Sequence, residues 1–435
     1  MGFPRDACTC EYPNDMFLPG TDMAELIADF DKIVKGLTEW KTNVTAKKKR
    51  AERKTFVVEG KDYEEAAAKV NMEYLKNNWG DGLPLLPPTR EKVDWILTGT
   101  DHPRDEIIGR VLPSGRCATI ESLAVNLAIT DGRPEYLPLM IAACTAMLNP
   151  RFRLHMMQAT TCSSAIAAVV NGPMAKQIRL NSGYSCLGPH PWYPAGGRIG
   201  RAMRLMQQNV GDAPPELVSM ANHGGPSKWN NIFFAEDEDG LPETWEPLSV
   251  DRGFEKGSNV ITIHTVASAT NITSVDVGDE QICLETLQYL ARILGGDYGN
   301  ILTNYSETSS PGLFLLPRGI AQGLADKGWT KEKCKEYIWE HSKYSWEVVN
   351  SDSHLMKRTE KTLQQWYPAG EDWPACFKPE QLMIVVAGGK QSGHAYWLRM
   401  GCCTYEPISV EIELPHNWDE LIAQAEKDLG PIPQA

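Results

Sequence analysis

Apolar residues recur at helical spacing in several parts of the chain. From residue 21 to residue 40 they follow one another at intervals of three or four, which is the period of one helix face. A second such stretch, YEEAAAKVNMEYLKNNW, begins at residue 63. The same reasoning predicts helices at residues 118–128, 134–148, 163–170, 198–208, 281–294, 320–328 and 330–342, with Pro134 and Pro173 in first turns.

Short apolar runs alternate with these helices and predict β-strands. The clearest are NVITIHTVAS (259–268), GLFLLP (312–317) and QLMIVVAGG (381–389). Such alternation is typical of an α/β fold. We therefore predict two α/β blocks with mixed sheets and an N-terminal helical arm, divided as 1–60, 61–256 and 257–435, and we find no evident internal repeat.

Length and charge restrict the partners that this chain is expected to bind. The 435 residues exceed one typical domain, and the net charge of −13 disfavours nucleic acids and anionic membrane surfaces. The longest apolar run, LPLMIAACTAML, is shorter than the ~20 residues that span a bilayer and predicts a buried helix. Because the N-terminus lacks a signal-peptide core, we expect a cytoplasmic protein.

The eleven cysteines do not form a recognisable framework. Their odd number and wide scatter predict reduced thiols rather than disulfides, and neither CxxC nor HExxH occurs. Cys8 with Cys10 and Cys402 with Cys403 are the close pairs, and the vicinal pair is expected to be two independent thiols.

Cys162 is the first candidate for chemistry. In QATTCSSAIAAVVNGP it directly precedes the helix predicted from residue 163, where a helix dipole would favour a thiolate. Cys162 would then be a nucleophile or metal ligand, with His155 as base or second ligand. Alternatively, Cys162 is a small buried residue, and Thr161 or Ser163 merely caps the helix.

The segment NSGYSCLGPHPWYPAGGRIGRAMRL is the second candidate. Its glycine-rich part, AGGRIGRA, opens a predicted helix and can present backbone N–H groups to an anion, with Arg198 and Arg201 as anchors. Thr161 and Asn181 are further candidates for substrate binding, and Cys186 with His190 could ligate a metal or line a pocket. An ordinary aromatic-rich loop is the alternative. Upstream, the proline-rich connector GDGLPLLPPT could position Trp79 and Asp81.

Two further segments carry polar groups. In FFAEDEDG, four consecutive carboxylates could bind a divalent cation, and Glu236 is a candidate acid or base. A solvated acidic turn is the alternative for this segment, near which His223 and Lys228 lie in sequence. The run GGKQSGH after the last predicted strand could form an anion nest.

Ten motifs, in a fixed order, resemble a bacterial family of poorly characterised proteins that accompany or are fused to UGSC-type (seleno)proteins. The resemblance covers roughly residues 70–415, but the Sec/Cys-Gly-Ser-Cys module itself is absent. Relatives usually carry histidine after QATT, where this chain has Cys162. The motifs are WGDGLPLLPPT, DGRPEYLPLMIAA, QATT, NGP, NSG, LGP, IGRAMRL, WEPL, RGF and VVAGG.

Three functions are consistent with the residues and the resemblance. The first is an enzyme that acts on a small, anionic or sulfur-containing metabolite by thiol or soft-metal chemistry, with reductive or lyase-type cleavage as what the resemblance implies. It would use a transition metal ion or a thiol or selenol partner protein. The second is a non-catalytic scaffold or substrate-presenting subunit, and the third a metal-dependent hydrolase or hydratase. We expect a homo-oligomer.

Overall fold

A computed structural model describes residues 10, 12, 22–41, 55–225, 228–273, 280–298, 301, 310–360, 368–390, 393–401 and 406–432. Cys8, Cys402, Cys403 and the basic run at residues 46–54 lie outside these ranges, so the predictions made for them stay predictions. The chain divides into two compact units, Met1–Glu59 and Gly60–Ala435.

The first unit contains the predicted N-terminal helix as two segments. Helix α1 spans Ala24–Ala28 and helix α2 spans Phe30–Thr38, with Asp29 between them. Tyr12 Oη donates a hydrogen bond to the Asp29 carboxylate at 3.1 Å. No side chain of α1 or α2 is buried, so the role of this arm in contacts with a neighbouring domain or subunit stays a prediction.

The second unit begins with helices and a small hairpin and then forms two larger sheets. Its first elements are α3 (Tyr63–Lys76), α4 (Arg90–Leu97), β1 (Ile107–Val111), β2 (Arg116–Thr119), α5 (Ile120–Ala128), α6 (Leu137–Leu148), α7 (Leu154–Ala159), β3 (Ala165–Asn171), α8 (Pro173–Gln177), α9 (Ala195–Asn209), β4 (Ile232–Ala235), α10 (Leu248–Asp251), β5 (Val260–Val266) and β6 (Ser268–Thr273). The remaining elements are α11 (Glu280–Gly295), β7 (Gly312–Leu316), α12 (Arg318–Ala325), α13 (Lys331–His341), β8 (Lys343–Tyr344), α14 (Trp346–Ser351), α15 (Ser353–Glu360), β9 (Trp373–Pro374), β10 (Met383–Val386), β11 (His394–Arg399), β12 (Ile408–Glu411) and α16 (Trp418–Leu429).

The two four-stranded sheets repeat one topology. Their orders are β12-β5-β3-β4 and β6-β11-β7-β10. In each sheet the last two strands are parallel, and the other pairs are antiparallel. Helices α8 and α9 lie between β3 and β4, and α12 and α13 lie between β7 and β10, where β8, α14, α15 and β9 follow them. Strand β6 follows β5 in the chain but pairs within the second sheet, and β12 follows β11 but pairs within the first sheet.

The sheets pack face to face between outer helices. Alternate residues of β3, β4 and β5 meet those of β7, β10 and β11 in a central apolar layer that includes Ala167, Phe234 and Leu315. The opposite face of the first sheet packs on α6 and α9, and α4, α5 and α16 belong to the same apolar cluster. The opposite face of the second sheet packs on α11 and α13, and α12 belongs to that cluster. The unit is therefore a four-layer αββα structure, which confirms the predicted α/β class with mixed sheets.

The pairing of β5 with β3 bears on the boundary predicted at residues 256/257. That position lies between β4 and β5, and β5 pairs with β3 along its whole length, from Ala165 opposite Val266 to Asn171 opposite Val260. The first sheet therefore contains residues from both sides of the predicted boundary. The first copy of the repeated topology ends with β6, and the second copy begins with β7.

Most predicted elements have the expected type. The apolar run LPLMIAACTAML forms the buried helix α6, and the strands predicted at 259–268, 312–317 and 381–389 appear as β5, β7 and β10. Pro134 opens a 3₁₀ turn before α6, and Pro173 begins α8, as predicted. Among the described residues, no helix has both the length and the apolar character required to cross a membrane.

His264 is an unusual polar residue within the first sheet. It lies on β5 opposite Ala167, on the strand face that Val266 turns towards the second sheet. Its side chain is 3% exposed, and neither ring nitrogen has a hydrogen-bond partner among the described residues. Burial lowers its pKa to about 3, so the imidazole is neutral in the folded protein.

Candidate functional site

The prediction of a helix that begins at residue 163 is wrong. Strand β3 occupies Ala165–Asn171 instead, and all seven of its residues are buried. A strand that is buried on both faces has no alternation of polar and apolar residues, so its small and β-branched side chains resemble a buried helix in sequence. Cys162 therefore lies at the entrance of a strand, and the argument from a helix dipole does not apply to its thiol.

Cys162 lies in a bend between α7 and β3. Its side chain is half-buried, its backbone N–H donates to Thr160 Oγ1 at 3.1 Å, and its sulfur accepts a hydrogen bond from Ser164 Oγ at 3.5 Å. His155 is exposed on α7, and no hydrogen bond joins it to Cys162 within the described ranges. The pairing of these two side chains therefore stays a prediction.

The glycines of AGGRIGRA lie inside helix α9, not in an anion-binding loop. A Cβ atom at Gly196 would lie 2.4 Å from the Phe233 carbonyl oxygen, and one at Gly200 would lie 2.1 Å from that of Asn231. These glycines, four positions apart, therefore let α9 approach the backbone at β4. The expectation of a glycine-rich anion loop is corrected accordingly.

Both arginines predicted as anion anchors are paired with carboxylates. Arg198 Nη2 lies 2.7 Å from Asp131 Oδ2, in a partly exposed ion pair. Arg201 donates from Nε and Nη2 to the two oxygens of Asp81, at 2.8 and 2.9 Å. Burial opposes ionisation of Asp81, but the bonds from Arg201 and from Leu83 N–H hold its pKa below the usual range. The sequence predicts that the proline-rich connector could position Asp81, and in the structure Asp81 forms this ion pair with Arg201.

A third arginine on α9, which sequence reasoning missed, differs from the other two. Arg204 is 7% exposed, and its Nε donates to the Lys228 carbonyl oxygen at 3.2 Å. Its two terminal amino groups make no hydrogen bond within the described part of the chain, and burial lowers its pKa. Each step of three residues along a helix falls about 60° short of a full turn, so Arg204 faces a different direction from Arg198.

Arg204 lines a pocket of about 310 Å³. Asp81, Gln208 and Lys228 supply further polar groups, and the Gln208 amide donates to the Gly80 carbonyl oxygen. The other lining residues are Leu83, Pro215, Ser219, Ala221, Gly224 and Trp229. The positive charges of Arg204 and Lys228 outnumber the negative charge of Asp81, so the lining of this pocket has a positive character.

The segment that carries Cys162 touches the loop that lines this pocket. Asn222 N–H donates to the Thr161 carbonyl oxygen at 3.0 Å, and Gly225 packs so closely on Ser163 that a Cβ there would lie 3.4 Å from Ser163 Cβ. Ala221 and Gly224, from the same loop, line the pocket. Both neighbours of Cys162 in sequence therefore contact the pocket loop, although the Thr161 side chain itself is exposed.

The remaining residues of the second candidate segment have local roles. Asn181 is buried; its Oδ1 accepts from Gly183 N–H at 2.9 Å, and its Nδ2 donates to the Tyr184 carbonyl oxygen at 2.8 Å. Burial raises the pKa of the Cys186 thiol to about 12. His190 Nδ1 accepts from Trp192 N–H at 3.1 Å. Asn181 thus shapes a turn, and Cys186 is a protonated interior thiol.

No group of three His, Cys, Asp or Glu side chains in the described ranges is arranged so that it could hold a metal ion. The four residues predicted as metal ligands, Cys162, His155, Cys186 and His190, therefore do not form such a group. In the run GGKQSGH, Gly388 N–H donates to the Ser182 carbonyl oxygen, and residues 391–392 lie outside the described ranges.

The acidic segment after β4 is tied to the surrounding backbone and side chains. Glu236 is buried and accepts hydrogen bonds from Asn171 Nδ2, Leu248 N–H and Val386 N–H at 2.8, 2.7 and 3.4 Å. Burial raises its pKa. The Asp237 carboxylate accepts from Nε and Nη2 of Arg318. These bonds join the carboxyl ends of β3, β4 and β10, so in this structure the predicted acid or base connects the two sheets.

Comparison of the chain with protein-family models, curated proteins and solved structures finds no match. The resemblance to the family that accompanies UGSC-type proteins therefore stays a prediction from the motifs. The structure places a buried arginine in the lining of the pocket at α9, and the segment with Cys162 contacts the loop that lines this pocket.

Proposed function

We propose that this protein is an enzyme that binds a small anionic metabolite in the pocket at α9 and acts on it through the thiol of Cys162. The observation that carries the proposal is Arg204. Its terminal amino groups have no hydrogen-bond partner among the described residues, although the side chain is 7% exposed and lines the pocket.

A buried guanidinium without a counter-ion is unfavourable, which argues for an anion as its natural partner. Taking a charge out of water costs several kcal/mol unless an opposite charge or hydrogen bonds compensate for the loss. Asp81 cannot supply this compensation fully, because both of its oxygens are bound by Arg201. A bound anion would accept from the two amino groups of Arg204 and neutralise its charge.

Cys162 is the nucleophile that the sequence offers beside this anion site. Its two sequence neighbours, Thr161 and Ser163, contact the loop that lines the pocket. The motif resemblance supports the same position, because relatives place histidine, another residue suited to polar chemistry, after QATT. The Cys162 thiol would lose its proton to solvent, and its sulfur would form a bond to an electrophilic carbon of the bound anion while the displaced group leaves that carbon with the bonding electron pair. No part of this assignment requires His155 or Glu236.

Alkylation of Cys162 by a charged and a neutral reagent tests the proposal. In each case the thiolate forms a carbon–sulfur bond and iodide leaves with the electron pair of the carbon–iodine bond. We expect iodoacetate to be preferred over iodoacetamide at Cys162 by about tenfold, relative to the same ratio at Cys117, because the anion is concentrated beside Arg204. Peptide mass spectrometry resolves the rate at each cysteine.

Two variants on the same helix control this experiment. Arg204→Met is expected to abolish the preference for iodoacetate, whereas Arg198→Met, which removes only the ion pair with Asp131, is expected to retain it. Circular dichroism verifies that both variants are folded. Equal reagent ratios at Cys162 and Cys117 in the unmodified protein, or a preference that survives Arg204→Met, would contradict the proposed function.

A further inference from the structure

The pocket at α9 has features that define the kind of anion it takes. We infer that its ligand is a small monocarboxylate with an apolar, ring-sized body, bound by Arg204 and covered by Trp229. This inference rests on the proposed function only in assuming that the pocket binds an anion.

The charge of the pocket matches one negative charge better than two. Among the described lining residues, Arg204 and Lys228 are cationic and Asp81 is anionic, which leaves an excess of one positive charge. A dianion such as a phosphate monoester would bring its second charge near Asp81, where like charges repel. A ligand with a single carboxylate neutralises the guanidinium of Arg204 and adds no excess negative charge to the pocket.

The orientation of Arg204 favours a planar ligand group. Its Nε donates to the Lys228 carbonyl oxygen at 3.2 Å, which leaves the two terminal amino groups available as a pair of donors. Two such groups match the two oxygens of a carboxylate in a bidentate arrangement. Lysine at this position would offer a charge without that planar pair.

The rest of the lining suits an apolar body. Leu83, Pro215 and Ala221 supply apolar walls, and Trp229 lies at the edge with 71% of its surface exposed. An exposed indole gives a flat surface on which a ring can stack. The volume of about 310 Å³ lies at the lower end of the range for ligand pockets, which restricts the ligand to a small molecule.

Ligand-observed ¹⁹F NMR with three matched probes tests this inference on the full-length protein. The probes are 4-fluorobenzoate, its neutral analogue 4-fluorobenzamide, and 4-fluorophenyl phosphate. We expect 4-fluorobenzoate to bind saturably and the amide to bind roughly 10- to 100-fold more weakly, as expected for loss of charged hydrogen bonds. The phosphate is expected to bind more weakly than the benzoate.

Variants separate the two parts of the site. Arg204→Met should weaken 4-fluorobenzoate to the level of the amide, Arg204→Lys should recover only part of the affinity, and Arg198→Met should leave it unchanged. Trp229→Ala, a change at an exposed position, should weaken 4-fluorobenzoate while leaving competition by acetate unchanged. Thermal unfolding of each variant verifies that the fold is retained.

The outcomes distinguish this inference from the proposed function. Tighter binding of the phosphate, equal binding of all three probes, or unchanged benzoate affinity in Arg204→Met or Trp229→Ala would overturn the monocarboxylate site. A phosphate-binding pocket would leave the proposed anion chemistry intact. Conversely, benzoate binding that depends on Arg204, without any iodoacetate preference at Cys162, would overturn the role of the thiol and retain the carboxylate site.

Discussion

Replacing His264 by leucine is expected to stabilise the protein, most of all in acid. The imidazole lies between the two sheets with both nitrogens unpartnered among the described residues, and an unsatisfied buried polar group costs about 1–3 kcal/mol. Leucine has a similar volume and no polar atoms. At neutral pH the free energy of unfolding should therefore rise by about 1–3 kcal/mol.

The acid effect follows from the difference between the two states of the protein. Burial holds the pKa of His264 at about 3 in the folded chain, against an ordinary value of 6.5. Below pH 6.5 the unfolded chain takes up a proton that the folded chain does not, so stability falls as the pH decreases towards 3. Each pH unit costs about 1.4 kcal/mol, or about 5 kcal/mol in all.

Urea unfolding between pH 7 and pH 4 measures this prediction. The difference in stability between His264→Leu and the unmodified protein should widen as the pH falls, and an exposed-site control, His155→Gln, should show no such widening. If the difference were constant with pH, or if His264→Leu were less stable at every pH, the imidazole would have a partner in the folded protein that compensates for its burial.

Alanine at Gly200 is expected to have the second large effect, in the opposite direction. The new Cβ would lie 2.1 Å from the Asn231 carbonyl oxygen and 2.3 Å from Asn230 Oδ1, so α9 would have to move away from the backbone at β4. Such overpacking against backbone costs about 3 kcal/mol or more. Because α9 carries Arg204, the displacement should also weaken anion binding.

Another glycine of α9 provides a matched control. A Cβ at Gly197 would have its nearest contact at 3.6 Å, from Pro189, which is ordinary van der Waals distance. Since alanine favours a helix over glycine by about 1 kcal/mol, Gly197→Ala should be neutral or stabilising. Thermal unfolding of the two variants compares them, and equal stabilities would contradict the close approach of α9 to β4.

The sequence predicts those elements whose residues have a clear period. Helix α13 and strand β5 could be placed because amphipathic spacing, or an apolar run of β-branched residues, identifies each locally. Strand β3 could not be placed in this way, because the segments that bury it are distant in the chain. They include β5, its neighbour in the sheet, and β7, in the facing sheet. An apolar run without polar alternation is compatible with either structure.

The candidate site was predictable only in part for the same physical reason. The sequence indicated the right helix, but it selected Arg198 and Arg201 because they follow the glycines. Which arginine is buried without a counter-ion depends on where Asp81 and Asp131 lie in space. The spacing of three that leads from Arg201 to Arg204 is a signal that could have extended the candidate set to the third arginine.

The topological repeat left no trace in the sequence pattern. Both sheets have the same strand order, although the segments that connect β3 to β4 and β7 to β10 differ in their elements and lengths. The exchange of β6 and β12 between sheets also places residues far apart in the chain within one sheet, for example Ser409 opposite Thr262. Pairing between distant segments cannot be derived from local spacing.

A crystal structure with 4-bromobenzoate tests the central claim most directly, since anomalous scattering from bromine locates the ligand independently of its fit to density. We expect a bromine peak in the pocket beside Trp229, with the carboxylate oxygens about 2.7–2.9 Å from the two terminal amino groups of Arg204. A peak elsewhere on the protein, or Arg204 paired with a protein carboxylate in place of the ligand, would contradict the account.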